Sequence, residues 1–355
     1  MSIFARSPYI VTIAESGQEG SKIELFLWNG TGSAPANPSY VLDKLIPASN
    51  NVNTYYNISP YIREYISFET RSEIYNTYPA ATNEQWCNVV YKRYKLDSGV
   101  YTLLDTTTLK AYDGFGYYEE GTNPNLFYDI LHEQGTFSYY YDGENPSTTL
   151  SRRAGYVTVY ATTGYKAKYT NLNTGATFTQ NLTNNRFTNV PRVYANYYAD
   201  GNKLEILDDS NITIWTAYLE PNQNCKYEAV LCDFVNKYGA WQRTYFYATS
   251  NNTLSIENTK YNLMQSSITN YSTLEGQTKS FNTNGKSSIK VNTDWVNESY
   301  NDLLKQLMLS ERILINSLPA TLKTQSTELF KNINTKMINY QLEFEFSYNV
   351  INNVI

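Results

Sequence analysis

The chain has 355 residues, of which 41% are hydrophobic and 17% charged, with 35 Tyr and a formal net charge of −5. This length predicts two or three domains at about 100–200 residues each, and so aromatic a chain is not disordered. Mean hydropathy is −0.49, so polarity comes from Asn, Thr, Ser and Tyr, and the Tyr and Thr content favours β-structure. The acidic pI of about 5.2 argues against nucleic-acid binding. No run approaches the ~18–20 apolar residues of a membrane span. The start, Met1-Ser2-Ile3-Phe4-Ala5-Arg6-Ser7-Pro8, lacks the pattern of a signal peptide, so a protein made in a cytosol is expected.

Residues 1–125 read as an N-terminal β domain. Tyr9–Ala14 is one strand, and Lys22–Trp28 alternates, with Ile23, Leu25 and Leu27 on one face. Asn88–Leu96 and Val100–Asp105 flank Asp97-Ser98-Gly99, a short hairpin loop. Tyr75–Gln85 reads as a loop. Residues 126–265 read as a second β domain. Tyr156–Ala161 and Tyr165–Thr170 flank Gly164. Asp200-Gly201-Asn202 predicts a hairpin between Val193–Ala199 and Lys203–Leu207, and Asn236-Lys237-Tyr238-Gly239 another between Glu228–Val235 and Trp241–Tyr247. Strands at this spacing suggest two β-sandwich-like, Ig-like domains in a mainly β chain.

Residues 266–292, rich in Ser, Thr, Asn and Gly, read as an extended loop or arm. Residues 293–355 read as a small C-terminal α+β segment packed on another domain. Thr293-Asp294 would cap a helix, with Val296, Tyr300, Leu303, Leu304 and Leu307 on its apolar stripe. Arg312–Leu318 reads as a strand ended by Pro319. Lys336–Tyr348 alternates cleanly, with Tyr340, Leu342, Phe344, Phe346 and Tyr348 on one face. There is no repeat of fixed period. Ser7-Pro8-Tyr9-Ile10 and Ser59-Pro60-Tyr61-Ile62 match locally, but their flanks do not.

Few residues offer chemistry. His132 is the sole histidine, so any Ser-His-Asp or Cys-His arrangement would need it, and no nucleophile motif lies near it. Cys87, Cys225 and Cys232 are too scattered for a disulfide framework or a zinc site. Gly285-Lys286-Ser287 ends like a phosphate loop, but Ser280 stands where the first glycine belongs. Gly114-Phe115-Gly116 lacks the third glycine of a dinucleotide site. The acidic clusters Glu119-Glu120, Asp142/Glu144 and Asp208-Asp209 sit beside turns, where solvated carboxylates are common. Matches to the glycan-acceptor pattern, such as Asn57-Ile58-Ser59, are what an Asn- and Ser-rich chain yields by chance. No catalytic, cofactor-binding or metal-binding residue is therefore assigned, and no cofactor is expected.

Several segments carry a family resemblance. They are Arg6-Ser7-Pro8-Tyr9, Ile58-Ser59-Pro60-Tyr61-Ile62-Arg63, Gly114–Gly121, Leu309-Ser310-Glu311, Lys336–Tyr340 and, most distinctive, Phe234-Val235-Asn236-Lys237-Tyr238-Gly239-Ala240-Trp241-Gln242. Together they resemble tail and collar virion proteins of Bacteroidetes-infecting tailed phages, including crAss-like phages. The resemblance implies a non-enzymatic structural component, made in the bacterial host cytoplasm and ending in the virion. It would build a ring or sleeve in the tail or portal-proximal collar. Its partners would be other copies of itself and neighbouring tail, collar or portal proteins, with no specific nucleic-acid binding and no membrane. The alternative is a receptor- or glycan-binding tail module, in which Tyr and Trp faces stack on sugars. A tail-associated glycan hydrolase using two carboxylates is a third.

Overall fold

The computed structural model describes residues 2–30, 32–47, 53–66, 78, 80, 85–141, 143, 154–222, 228–264, 267, 269–274, 276–296, 300–327 and 338–352. The chain is mainly β, with two α-helices among the described residues. It divides into two compact units. One comprises Met1–Gln223 with Val235–Arg243, the other Asn224–Phe234 with Thr244–Ile355.

The first unit holds two sandwiches of the same topology. In the first, β1 (Ser2–Phe4), β3 (Gly20–Trp28), β4 (Tyr40–Leu45), β6 (Trp86–Asp97) and β7 (Val100–Tyr112) form a sheet of order β1-β7-β6-β3-β4. β1 runs parallel to β7 and the other neighbours are antiparallel. The second layer pairs β2 (Ile10–Ala14) with β5 (Asn53–Asn57). Helix α1 (Ser59–Tyr65) follows, with Pro60 in its first turn, where a missing N–H costs nothing.

The core explains the pattern. Ile23, Leu25 and Leu27 of β3 and Val89 of β6 are buried with Val11 and Ile13 of β2, Tyr56 of β5 and Ile62 of α1. The expected alternation of Lys22–Trp28 is observed, and Ser98-Gly99 closes the β6–β7 hairpin, with Asp97 paired to Val100. Tyr75–Gln85 lies largely outside the described residues.

The second sandwich repeats this order. β8 (Gly135–Tyr140), β10 (Lys166–Asn171), β11 (Thr177–Asn181), β13 (Asn202–Leu207) and β14 (Thr213–Asn222) form the sheet β8-β14-β13-β10-β11. β8 is parallel to β14, as β1 is to β7. β9 (Tyr156–Ala161) and β12 (Arg186–Pro191) form the two-stranded layer. Strand for strand, β1 to β7 map onto β8 to β14. In both, the third, sixth and seventh strands share one sheet and the second and fifth the other, the immunoglobulin-like arrangement.

The hairpin expected around Asp200-Gly201-Asn202 is not formed. Val193–Ala199 is irregular, with a 3-10 turn at Ala195–Tyr197. Its tyrosines pack instead of pairing: Tyr194 stacks on Phe178 with centroids 4.1 Å apart, and Tyr198 lies 4.9 Å from Tyr139. β13 finds its ladder partners in β10 and β14.

The second unit is built on a seven-stranded sheet. Its strands are β15 (Val230–Val235), β16 (Trp241–Phe246), β17 (Asn251–Asn262), β18 (Thr278–Val296), β19 (Ile313–Ile315), β20 (Leu318–Leu322) and β21 (Ile338–Asn349), in the order β16-β15-β19-β20-β21-β18-β17. Helix α2 (Tyr300–Met308) buries Leu303, Leu304 and Leu307.

Three expectations are corrected here. Much of 266–292 is strand rather than loop: β18 runs from Thr278 and pairs with β17 on one side and β21 on the other. Ile289 and Val291 are buried there, so a few apolar positions in a polar sequence are enough to seat a strand between two neighbours. Thr293 and Asp294 lie in β18 rather than capping a helix, because Trp295 and Val296 pair with Asn339 and Ile338. Pro319 lies inside β20 rather than ending a strand, since Asn316-Ser317 turns the chain first.

Candidate functional site

Four of the segments singled out in the sequence come together in the first unit. Tyr9 N–H donates to Ser59 Oγ at 2.9 Å, and Ser59 Oγ–H donates to the Ser7 carbonyl at 2.6 Å. Ser7 Oγ in turn accepts from Gly116 N–H at 2.8 Å. Thus Arg6–Tyr9, the start of α1 and the Gly114–Gly121 loop form one hydrogen-bonded node. Arg6 caps it over the Phe115 ring, 4.9 Å from the centroid.

The tip of the β15–β16 hairpin docks on that loop. Phe115 N–H donates to the Lys237 carbonyl at 2.8 Å. Lys237 is buried, pairs with Glu120 and lies 4.4 Å above the Tyr117 ring. Asn236, fully buried, organises the turn. Its Oδ1 accepts from Tyr238 N–H and Ala240 N–H, and its Nδ2 donates to the Leu131 carbonyl and to Gln242 Oε1. Gln242 passes this on to Glu133 Oε1 at 3.1 Å.

An apolar cluster joins the two sandwiches beneath the tip. It contains Phe4, Trp86 and Tyr112 from the first, Leu131 and Phe187 from the second, and Ala240 from the tip. Phe187 lies 4.5 Å from Trp86, 5.7 Å from Tyr112 and 5.0 Å from Tyr160. Aromatic pairs at these separations add about 0.5–1.5 kcal/mol each beyond their buried area. The chemistry of this site is that of a clamp: backbone, hydroxyl and amide groups of the four segments bond one another around a shared aromatic core.

The residues weighed for catalysis lie elsewhere or are engaged. His132 is 3% exposed. Its Nδ1–H donates to the Glu133 carbonyl at 2.8 Å, and its own carbonyl accepts from Trp215 Nε1. Burial, helped by the positive Arg192, lowers its pKa to about 3, which makes it a weak general base at neutral pH. Glu120 accepts from Tyr117 N–H and pairs with Lys237. Asp208 Oδ1 closes a turn by accepting from Ser210 N–H and Ile212 N–H. Asp142, Glu144 and Cys225 lie outside the described residues. Cys87 and Cys232 are buried thiols; burial pushes Cys87 up to about 12 and raises Cys232 as well. Gly285-Lys286-Ser287 is extended strand, with Lys286 paired to Glu345.

Among the described residues, no cluster of three His, Cys, Asp or Glu side chains is placed to hold a metal ion, and no helix is long and apolar enough to cross a membrane. Sequence reasoning missed Arg192. It is 2% exposed, donates from Nη1 to the Arg243 carbonyl at 2.9 Å and lies 4.8 Å from the Phe137 centroid. A lone arginine after a proline carries no pattern that marks it as buried.

His132 gives a measurable signature. Its folded-state pKa lies below the ordinary histidine value of 6.5, so the unfolded chain binds a proton that the folded chain refuses. The neutral imidazole's contribution is complete above about pH 6.5 and declines as pH falls toward 3. Between pH 6.5 and 5, above the usual carboxylate range, stability should fall by up to about 1.4 kcal/mol per pH unit. Urea unfolding at pH 7 and pH 5 reads this, and His132→Gln should flatten it. An unchanged slope in that variant would assign the pH dependence to other groups.

Comparison of the chain with protein-family models, curated proteins and solved structures returns no match.

Proposed function

We propose that this chain is a structural component of a phage virion, one of several identical subunits building a ring or sleeve in the tail or portal-proximal collar. The segments that carry the resemblance to tail and collar proteins of crAss-like and related phages support this reading. The observation that carries it is what those segments do. The Arg6–Tyr9, Ile58–Arg63, Gly114–Gly121 and Phe234–Gln242 segments interlock as an internal clamp between two Ig-like sandwiches, with their polar groups turned on each other. Such residues build a stiff subunit rather than a reaction centre. Repeated contacts between two different patches of a subunit close into a ring when the rotation divides a full turn.

The test is location. Antibody against the purified chain should label virions at the collar or along the tail. Label confined to the distal tip, with binding of host-surface glycans by the isolated chain, would favour a receptor-binding module instead.

A further inference from the structure

We infer that the β17–β18 hairpin of one copy adds to the open β4 edge of the first sandwich in the next copy, making the contact that repeats around the ring. The inference rests on the ring reading and gives it a specific interface. Among the described residues β17 is an edge strand paired with β18 alone, and all twelve of its residues are exposed. Leu254 and Ile256, two apart and so on one face, are 54% and 62% exposed. Natural proteins blunt long edges with bulges, prolines or inward charges, because an open edge is a template for pairing with another chain. β17 has one irregularity in its ladder, between Glu257 and Thr259, which leaves Asn251–Glu257 with Leu254 and Ile256 as an unbroken stretch; it contains no proline, and its charged residues are Glu257 and Lys260.

The receiving edge is of the same kind. Among the described residues β4 is paired with β3 alone, and Val41 and Leu45 on its outer face are 52% and 70% exposed, with Asp43 between them. Charge favours the match. Residues 251–290 carry Lys260, Lys279, Lys286 and Lys290 against Glu257 and Glu275, a net +2, whereas the whole chain is −5 and its remainder therefore −7. Residues 1–125 alone hold 13 acidic and 9 basic side chains, a net −4. A net-positive hairpin segment on one copy and a net-negative domain on the next are two different patches, which is what a head-to-tail contact requires.

The test uses the purified full-length chain in sedimentation velocity at low and high salt. Wild type should assemble, and less so at high salt. Leu254→Gln with Ile256→Gln spoils the arm, and Val41→Lys with Leu45→Lys spoils the edge. All four positions are exposed, and circular dichroism checks that both variants fold. Each variant alone should sediment as a monomer, with self-association weakened at least tenfold. Mixed one to one, they should form a heterodimer and stop, because each supplies the half that the other lacks. Assembly of both variants like wild type would overturn the inference while leaving the ring reading intact. A wild-type chain that stays monomeric at every concentration and salt would also overturn it, and the ring reading would then depend on the virion itself.

Discussion

Replacing Gly239 with Ala is expected to lower the stability of the first unit by about 2–5 kcal/mol. Gly239 has φ +80°, in the left-handed region, where an L side chain costs roughly 1–2 kcal/mol. An added Cβ would also sit 2.8 Å from the Asp113 backbone N and C and 2.9 Å from Gly114 N. These are backbone atoms that cannot swing aside, and overpacking costs about 1–3 kcal/mol more. Gly175→Ala is the control. Its φ is +74°, and nothing lies within 4 Å of an added Cβ, so only the conformational cost applies. Chemical denaturation of the two variants separates the terms. Equal losses would show that the hairpin tip is not seated against Asp113 and Gly114.

A loss of comparable size is expected in the second unit from Phe344→Ala. Phe344 is fully buried in β21, flanked by β18 and β20, with the Phe246 ring 6.0 Å away. Truncating a buried Phe typically costs about 3–5 kcal/mol, a large part of a total stability of roughly 5–15 kcal/mol. Its neighbour Glu343 points the other way and pairs with Lys323 at 2.8 Å, with side chains 32% and 51% exposed. Exposed pairs of this kind contribute about 0–1 kcal/mol. Glu343→Ala should therefore unfold near wild type, while Phe344→Ala should lose soluble yield and shift the denaturation midpoint. Similar midpoints for both would contradict the burial assigned to the alternating face.

The strand content and most strand positions were legible because period-2 alternation and turn residues are local signals. β3, β9 and β21 show this, and so does the β15–β16 hairpin around Asn236–Gly239. The failures share one cause. β18 lies between two strands that lie far from most of it in sequence or beyond a loop, so a polar stretch whose buried apolar side chains are Ile289 and Val291 is ordered by its neighbours. Val193–Ala199 fails in the opposite sense. Its tyrosines suit a strand, but they are drawn into ring packing with Phe178 and Tyr139.

Two sandwich-like domains were legible from strand spacing, but their common strand-for-strand topology was not. Topology can repeat while spacing does not: β3 to β6 takes in a long excursion, whereas β10 to β13 is compact. The local match between Ser7–Ile10 and Ser59–Ile62 was a different signal. Both segments lie in the first sandwich, where β2 pairs with β5, and they meet through Tyr9 and Ser59 rather than occupying equivalent places. The clamp was visible only as a set of unusual words in the sequence. Which words touch depends on contacts more than a hundred residues apart, such as Ser7 with Gly116 and Glu120 with Lys237.

The reading of the chain as a repeated subunit around a tail or collar is tested most directly by the density of the virion, averaged about the tail axis. The expected density is a closed ring of identical copies into which the doubled sandwich fits, with the β17–β18 hairpin reaching the neighbouring copy. A single asymmetric copy per virion, or density at the collar and tail that does not hold this chain, would contradict it.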